Sequence, residues 1–272
     1  MRFLGLDLAG ARNQKTALAS LEYYPREKKV FLLDVYERIG QRENQTTDSA
    51  LIETIIELKD PHDFKTVLGV NVPLTLPPCI ECTKKHCPTA PKCSVPAVRW
   101  MKNHSLDRPL TPYTQRPFEI WVRNYLQNQF AKDFWFDVDE AMGGSKAPLT
   151  ARLHYLKRHL ETAVEIVEVW PKLMVTSLSG ELEIPKRTFL DYRQLESGPH
   201  ARFEILEAVC DYYSIFVYDR DLKKLSQSLP AFDAFFCALG GLLKTIHQIE
   251  QPPKGFLDSF GWVAFPSLED GN

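Results

Sequence analysis

KTVLGVNVPLTLPPCIECTKKHC, Lys65 to Cys87, is the stretch whose reading decides the fold. Its first part, Lys65–Leu74, is apolar enough for a strand buried on both faces. That strand should stop at Asn71, which sets a polar side chain at a sheet edge where the local pattern does not call for one. Its second part turns through prolines and then delivers Cys79, Cys82 and Cys87, followed shortly by Cys93.

Upstream, Arg2–Ala9 reads as a short apolar strand ending in a carboxylate, Asp7. Lys15–Tyr24 and Lys28–Glu37 read as a second and a third strand, joined by the turn-like Pro25–Lys29. Thr47–Asp60 has apolar residues at Leu51, Ile55, Ile56 and Leu58, a helical spacing with Thr47 or Asp48 as cap. Downstream, helices are expected over Arg116–Ala131, Ala147–Glu161, Pro199–Tyr213 and Ser228–Gln248. Ala163–Pro171 reads as the fifth strand, and Gly261–Pro266 as a short final one. Between residues 75 and 115 the chain is proline-rich and without clear periodicity, as expected of an insertion held by something other than a core. The expected organisation is therefore α/β, a single domain over residues 1–272 with residues 75–115 as a cysteine-rich insertion.

Composition bounds the function. With 272 residues, 44% hydrophobic and 25% charged, the chain can bury a sizeable core. A net charge of -2 and a pI near 6.4 exclude a protein that is basic throughout. No apolar run suits a bilayer, and the start lacks the pattern of a signal peptide, so a cytoplasmic protein without a membrane partner is expected. Six cysteines are then thiols or metal ligands rather than disulfides. Charge is uneven: Lys84 to Arg123 holds eight Lys or Arg against Asp107 and Glu119. This run is either a patch for phosphates or a solvated surface.

Three polar groups stand out at element ends: Asp7, Asn71 and Asp233. On the last helix Asp233 shares a face with Cys237 and Gly240, small residues that let the helix approach a sheet. Acid groups converging from strand ends and a helix make a hard oxygen cage suited to Mg²⁺ or Mn²⁺. Two such ions about 3.5–4 Å apart would serve phosphodiester hydrolysis. Taken singly, an acid at a strand end is more often a turn residue or a helix cap.

In order and content these residues resemble the domain-of-unknown-function family of predicted ribonuclease-H-like nucleases. The resemblance rests on LGLDLAG with Asp7, GVNVPLTLP with Asn71, Pro73 and Leu74, and EVWP with Glu168 and Pro171. It continues through Lys186, Gly198 and Arg202 to FDAFFCALGG with Asp233 and Ala234, and it spans nearly the whole chain. It implies a ribonuclease-H-like mixed five-stranded sheet flanked by helices, with the cysteine-rich insertion after the fourth strand. It also implies one metal-dependent site made by Asp7, position 71 and Asp233, with Glu168 close by. Lys186 and Arg202 match its pattern and would neutralise a scissile phosphate. The family has an acid where this chain has Asn71, whose carbonyl can bind a hard cation but brings no charge.

Cys79, Cys82, Cys87 and Cys93 are spaced as four thiolate ligands for Zn²⁺, with an iron–sulfur cluster or unligated thiols as alternatives and His86 as a possible substitute. Cys210 and Cys237 fall in apolar helical patterns and read as core. Lys146 and Arg152 open a basic helix that is either a phosphate contact or a solvated face. Trp100, Trp121 and Trp135 either stack bases or pack in a core.

The leading expectation is a metal-dependent phosphodiester hydrolase. The alternative is a catalytically impaired protein of the same fold that binds nucleic acid or a nucleotide. A kinase of the actin-like class, with Asp7–Ala19 as its phosphate loop, lacks the second glycine-rich loop that class requires.

Overall fold

The computed structural model describes residues 1–10, 15–40, 42–60, 65–105, 109–182 and 184–267. The proposed phosphate loop Asp7–Ala19 therefore lies partly outside the described residues, as do Asp107 and Arg108 of the basic run.

Arg2–Asp7 (β1), Ala17–Tyr24 (β2) and Lys29–Tyr36 (β3) form an antiparallel meander. Helix Thr47–Glu57 (α1) then leads to Val67–Val70 (β4), which runs parallel to β1. Next come Pro96–His104 (α2), Pro117–Gln129 (α3) and Lys146–Leu160 (α4). Glu165–Glu168 (β5) pairs parallel with β4. Helices Pro171–Leu178 (α5), Lys186–Asp191 (α6) and Gly198–Tyr212 (α7) precede Ile215–Phe216 (β6), which pairs parallel with β3. Asp219–Gln227 (α8) and Leu229–Thr245 (α9) follow.

The fold is α/β, a mixed sheet flanked by helices, in the order β5-β4-β1-β2-β3-β6. It has six strands where five were expected. The sixth is only two residues long, too short to carry the alternation that marks a strand. Conversely, the stretch expected as a final strand contributes only isolated bridges, Val169 with Ala264 and Ile249 with Pro266. Pro266 has no N–H with which to extend a ladder. Thr46, not Thr47 or Asp48, caps α1, its hydroxyl accepting the Ser49 N–H at 3.1 Å. Ser228 caps α9 as expected. The proline-rich stretch contains a helix, α2, which opens on Pro96, where a missing N–H does no harm.

Chain contacts divide the protein into two compact units. The first comprises Met1–Asn71, His154–Gln251 and Ala264–Asn272, and holds the sheet. The second comprises Val72–Leu153 and Pro252–Val263, so it extends well beyond the expected insertion.

In the first unit α9 lies directly on the sheet. A Cβ built on Gly5 would meet the Ala234 carbonyl oxygen at 1.9 Å, and one on Gly69 would meet the Cys237 carbonyl oxygen at 1.9 Å. Both strands thus need glycine there because helix backbone meets strand backbone. In return α9 can be apolar on all sides, and Ala231 to Leu243 are buried without a break.

The second unit has an aromatic core. Phe118 and Trp121 of α3 meet Trp262, with Trp121 and Trp262 centroids 4.6 Å apart, while Tyr125 stacks on Trp121 and Phe256 meets Trp262 edge-on. Beside it Arg116 and Glu119, both 0% exposed, form a close ion pair at 2.7 Å, and Arg116 also reaches the Thr75 hydroxyl. A basic residue counted in the charge run is therefore a buried structural partner.

Candidate functional site

Strands β1, β4 and β5 are parallel, so their carboxyl ends share one edge of the sheet. That edge is where open α/β sheets bind ligands. Asp7 ends β1, Asn71 follows β4 by one residue, and Glu168 ends β5.

Asn71 joins the first two strands. Its Oδ1 accepts the Leu8 N–H at 3.0 Å, and its own N–H donates to the Leu6 carbonyl at 3.3 Å. Because a backbone N–H can only donate, the amide must turn its oxygen to Leu8. Its Nδ2 then faces Asp7, and it donates to Asp7 Oδ1. Asn71 acts here as a strut that orients Asp7.

Register sorts the remaining acids by face. Phe3, Gly5 and Asp7 alternate to the same side of β1. On that side Gly5 faces Ala234, and Gly241 faces Phe3 and Val67. Asp7 and Asn71 therefore share the α9 face, and Asp233 sits on α9 next to Ala234. Glu168 is level with Leu6 and Val70, whereas Val169 meets Gly240 of α9. The Glu168 side chain thus leaves the sheet on the opposite face. There it is 2% exposed and accepts the Trp170 indole N–H at 2.9 Å. The structure brings Asp7, Asn71 and Asp233 to one face and one end of the sheet, and it sets Glu168 apart from them.

Asp233, 5% exposed, has a partner that sequence reasoning missed. Arg193 grips it bidentately, Nη1 to Oδ1 at 3.2 Å and Nη2 to Oδ2 at 2.9 Å. The guanidinium also reaches the Tyr192 hydroxyl at 3.3 Å and lies over its ring. Burial opposes the charge on Arg193, but the Asp233 carboxylate more than offsets it and holds the guanidinium firmly protonated. Burial raises the Tyr192 phenol well above its ordinary range, and the Asp233 charge adds to the effect.

Arg202 acts on the same loop. Its guanidinium donates to the carbonyls of Tyr192 at 2.6 Å, Ser226 at 2.7 Å and Gln227 at 3.4 Å. Gly198 leaves room for this: a Cβ there would lie 2.7 Å from Arg202 Nη1. Arg202 thereby fixes the residue before Arg193, while desolvation lowers its pKa. Lys186 is exposed at the start of α6. In the second unit Arg152 is buried and Lys146 partly buried on α4. Nothing local in the sequence marks Arg193; it lies in an irregular loop between two residues that the resemblance had singled out.

The cysteine segment belongs to the second unit. Residues 80–89 are all exposed, Cys79 is half-buried and Cys93 buried. Desolvation raises the Cys79 pKa, and the charges of Cys93, Cys82 and Cys87 raise it further, so all three lie within electrostatic reach of it. Among the described residues, no three His, Cys, Asp or Glu side chains are drawn close enough to hold a metal ion. Of the candidate stacking residues, Trp100 lies flat on His104 at 4.0 Å, Trp121 packs in the aromatic core, and Trp135 donates to the Phe130 carbonyl. No helix among the described residues is long and apolar enough to cross a membrane.

Compared with protein-family models, curated proteins and solved structures, the chain matches none.

Proposed function

We propose that this chain is a phosphodiester hydrolase of ribonuclease-H-like architecture that works with one divalent cation, Mg²⁺ or Mn²⁺. The supporting observation is that Asp7 and Asp233 lie on one face at the carboxyl edge of the parallel strands, with the partly exposed Arg193 paired to Asp233. The donor set fits a single hard ion: Mg²⁺ is commonly bound by one or two carboxylates, with water and substrate phosphate completing its shell. A cage for two ions would need Glu168, which faces the other way. When bound, the ion supplies Lewis-acid polarisation of a phosphoryl oxygen and acidifies a water. The chain's own residues orient and balance charge. Asn71 aims Asp7, Arg202 fixes the loop, and Arg193 offers a guanidinium fork that fits phosphate oxygens as well as it fits Asp233.

The test is turnover of single-stranded and duplex RNA and DNA with Mg²⁺ or Mn²⁺. Cleavage by the native protein that is lost in both Asp7→Asn and Asp233→Asn supports the proposal. Cleavage that survives both substitutions overturns it.

One observation favours the second reading, a binding protein without turnover. Both carboxylates already have protein donors, Asn71 on Asp7 and Arg193 on Asp233. Nucleic-acid binding without cleavage across divalent metals would establish that reading.

A further inference from the structure

We propose that Lys84, Lys85, Lys92, Arg99 and Lys102 form one surface that binds the phosphates of single-stranded nucleic acid. This goes beyond the catalytic reading and does not depend on it: the surface belongs to the second unit, whereas Asp7 and Asp233 belong to the first.

The structure divides the basic run into two kinds of cation. Arg116 is buried against Glu119, and Arg123 donates to the Val138 carbonyl near Glu140. Lys84, Lys85, Lys92, Arg99 and Lys102 pair with no carboxylate among the described residues. All but the half-buried Lys102 are exposed. The sequence supplies no acid from Cys82 to Leu106, where the chain's average would place about three. Like charges gathered on one stretch of surface repel, at a cost to folding. Compensation of the helix dipole accounts for Lys102 in the last turn of α2, but not for Lys84 and Lys85, which lie on no helix.

Two hydrogen bonds gather these cations. Lys84 Nζ donates to the Ser94 hydroxyl at 2.8 Å, which folds residues 84 and 85 back beside Lys92. Lys102 Nζ donates to the Pro91 carbonyl at 2.8 Å, which ties α2 to the single 3₁₀ turn that ends at Lys92. Arg99 and Lys102 are neighbours three apart on α2. Both acceptors are neutral, so the bonds fix the ammonium groups without cancelling their charge.

The surroundings select the partner. Over residues 80–105 the one exposed large apolar side chain is Ile80, so the surface lacks the apolar face that enters a bilayer. Two residues beyond Lys102, exposed His104 lies flat on Trp100 at 4.0 Å, and Phe256 and Phe260 back Trp100. A supported flat ring beside a row of cations suits an unpaired base next to its phosphates. A duplex keeps its base faces stacked inside, and an acidic peptide has none.

The test is the salt dependence of binding to a labelled single-stranded oligonucleotide, followed by fluorescence anisotropy without divalent metal. At about 0.7 per neutralised phosphate, the slope of log affinity against log salt should be about -3. Lys85→Gln with Lys92→Gln and Arg99→Gln removes three side chains that hold nothing else among the described residues. It should weaken binding by roughly tenfold or more and make the slope shallower by about 2. Arg26→Gln with Lys28→Gln and Lys29→Gln removes the same charge from the β2–β3 turn and should bind as the native chain does. Native affinity and slope in the first variant overturn the proposal, as does an equal loss in the second. Duplex of the same sequence, anionic phospholipid vesicles and polyglutamate, as competitors at matched charge, should displace the strand poorly. Ready displacement by any of them overturns the assignment to single strands. Without divalent metal the measurement involves no turnover, so a chain that never cleaves still passes or fails it.

Discussion

Asn71 holds Asp7 by a side-chain hydrogen bond while its own carbonyl is held by the Leu8 N–H. The polar residue after β4 is therefore a donor toward the carboxylate after which the site is built, and an acid there would do the reverse.

Asn71→Asp should replace that donor with a second carboxylate. Without metal, the pair cannot both ionise easily, and the variant should lose about 1–3 kcal/mol at neutral pH. A shared proton raises the folded-state pKa of the pair, so the loss shrinks as pH falls. Thermal unfolding across pH, with and without Mn²⁺, checks this. Stabilisation by Mn²⁺ should be larger in the variant than in the native protein; equal stabilisation means that position 71 does not address the cation.

Arg193→Gln leaves Asp233 buried with its main cationic partner gone. The Arg193 side chain is 36% exposed, so solvent screening reduces the effect to about 1–2 kcal/mol. The guanidinium is charged in both folded and unfolded chains at ordinary pH, and its raised folded pKa means the contribution persists until strongly alkaline conditions. On the proposed function, the same variant should weaken phosphate-ester binding more than Lys186→Gln does. Urea unfolding and substrate affinity provide the two readouts.

Gly5→Ala and Gly69→Ala should each destabilise by about 3 kcal/mol, because the obstacle is backbone that no rotamer change can clear. Gly40→Ala, with nothing within 4 Å, is the control and should be close to neutral. Equal stability of all three variants in urea would refute the close contact of α9 with β1 and β4.

Asp221, 1% exposed, sits in the first turn of α8 and pairs with Arg220 and Lys224. Burial works to raise its pKa, but these two cations more than compensate and hold it below the usual carboxylate range. A depressed folded pKa adds stability above the unfolded value that is lost as pH falls through the folded one. Asp221→Asn should therefore cost about 1–2 kcal/mol at neutral pH, and the gap to the native protein should close in strong acid. A pH series of denaturant midpoints reads this directly.

The centre of the sheet was legible because β1 and β4 are buried on both faces. Phe3, Leu4, Leu6, Val67, Leu68 and Val70 form apolar runs that no surface element needs. Asp7, Asn71 and Asp233 were legible as polar interruptions of such runs. The face that Glu168 takes was not legible, because sequence places it at a strand end but not on a face; one residue of register, Val169 against Gly240, decides the face. Arg193 was invisible for a different reason: its role comes from a loop fixed by the distant Arg202, and no local period records that. β6 escaped notice because two residues make no pattern.

The bare contact of Gly5 with Ala234 and of Gly69 with Cys237 leaves no side-chain cushion between helix and sheet. With backbone against backbone at those two points, Asp233 is tied closely to the frame that carries Asp7. The adaptable part of the site is then the loop at Tyr192–Arg193, whose anchors are hydrogen bonds that can be exchanged one by one. An incoming anion that draws Arg193 away from Asp233 would change the charge of the site without deforming its scaffold.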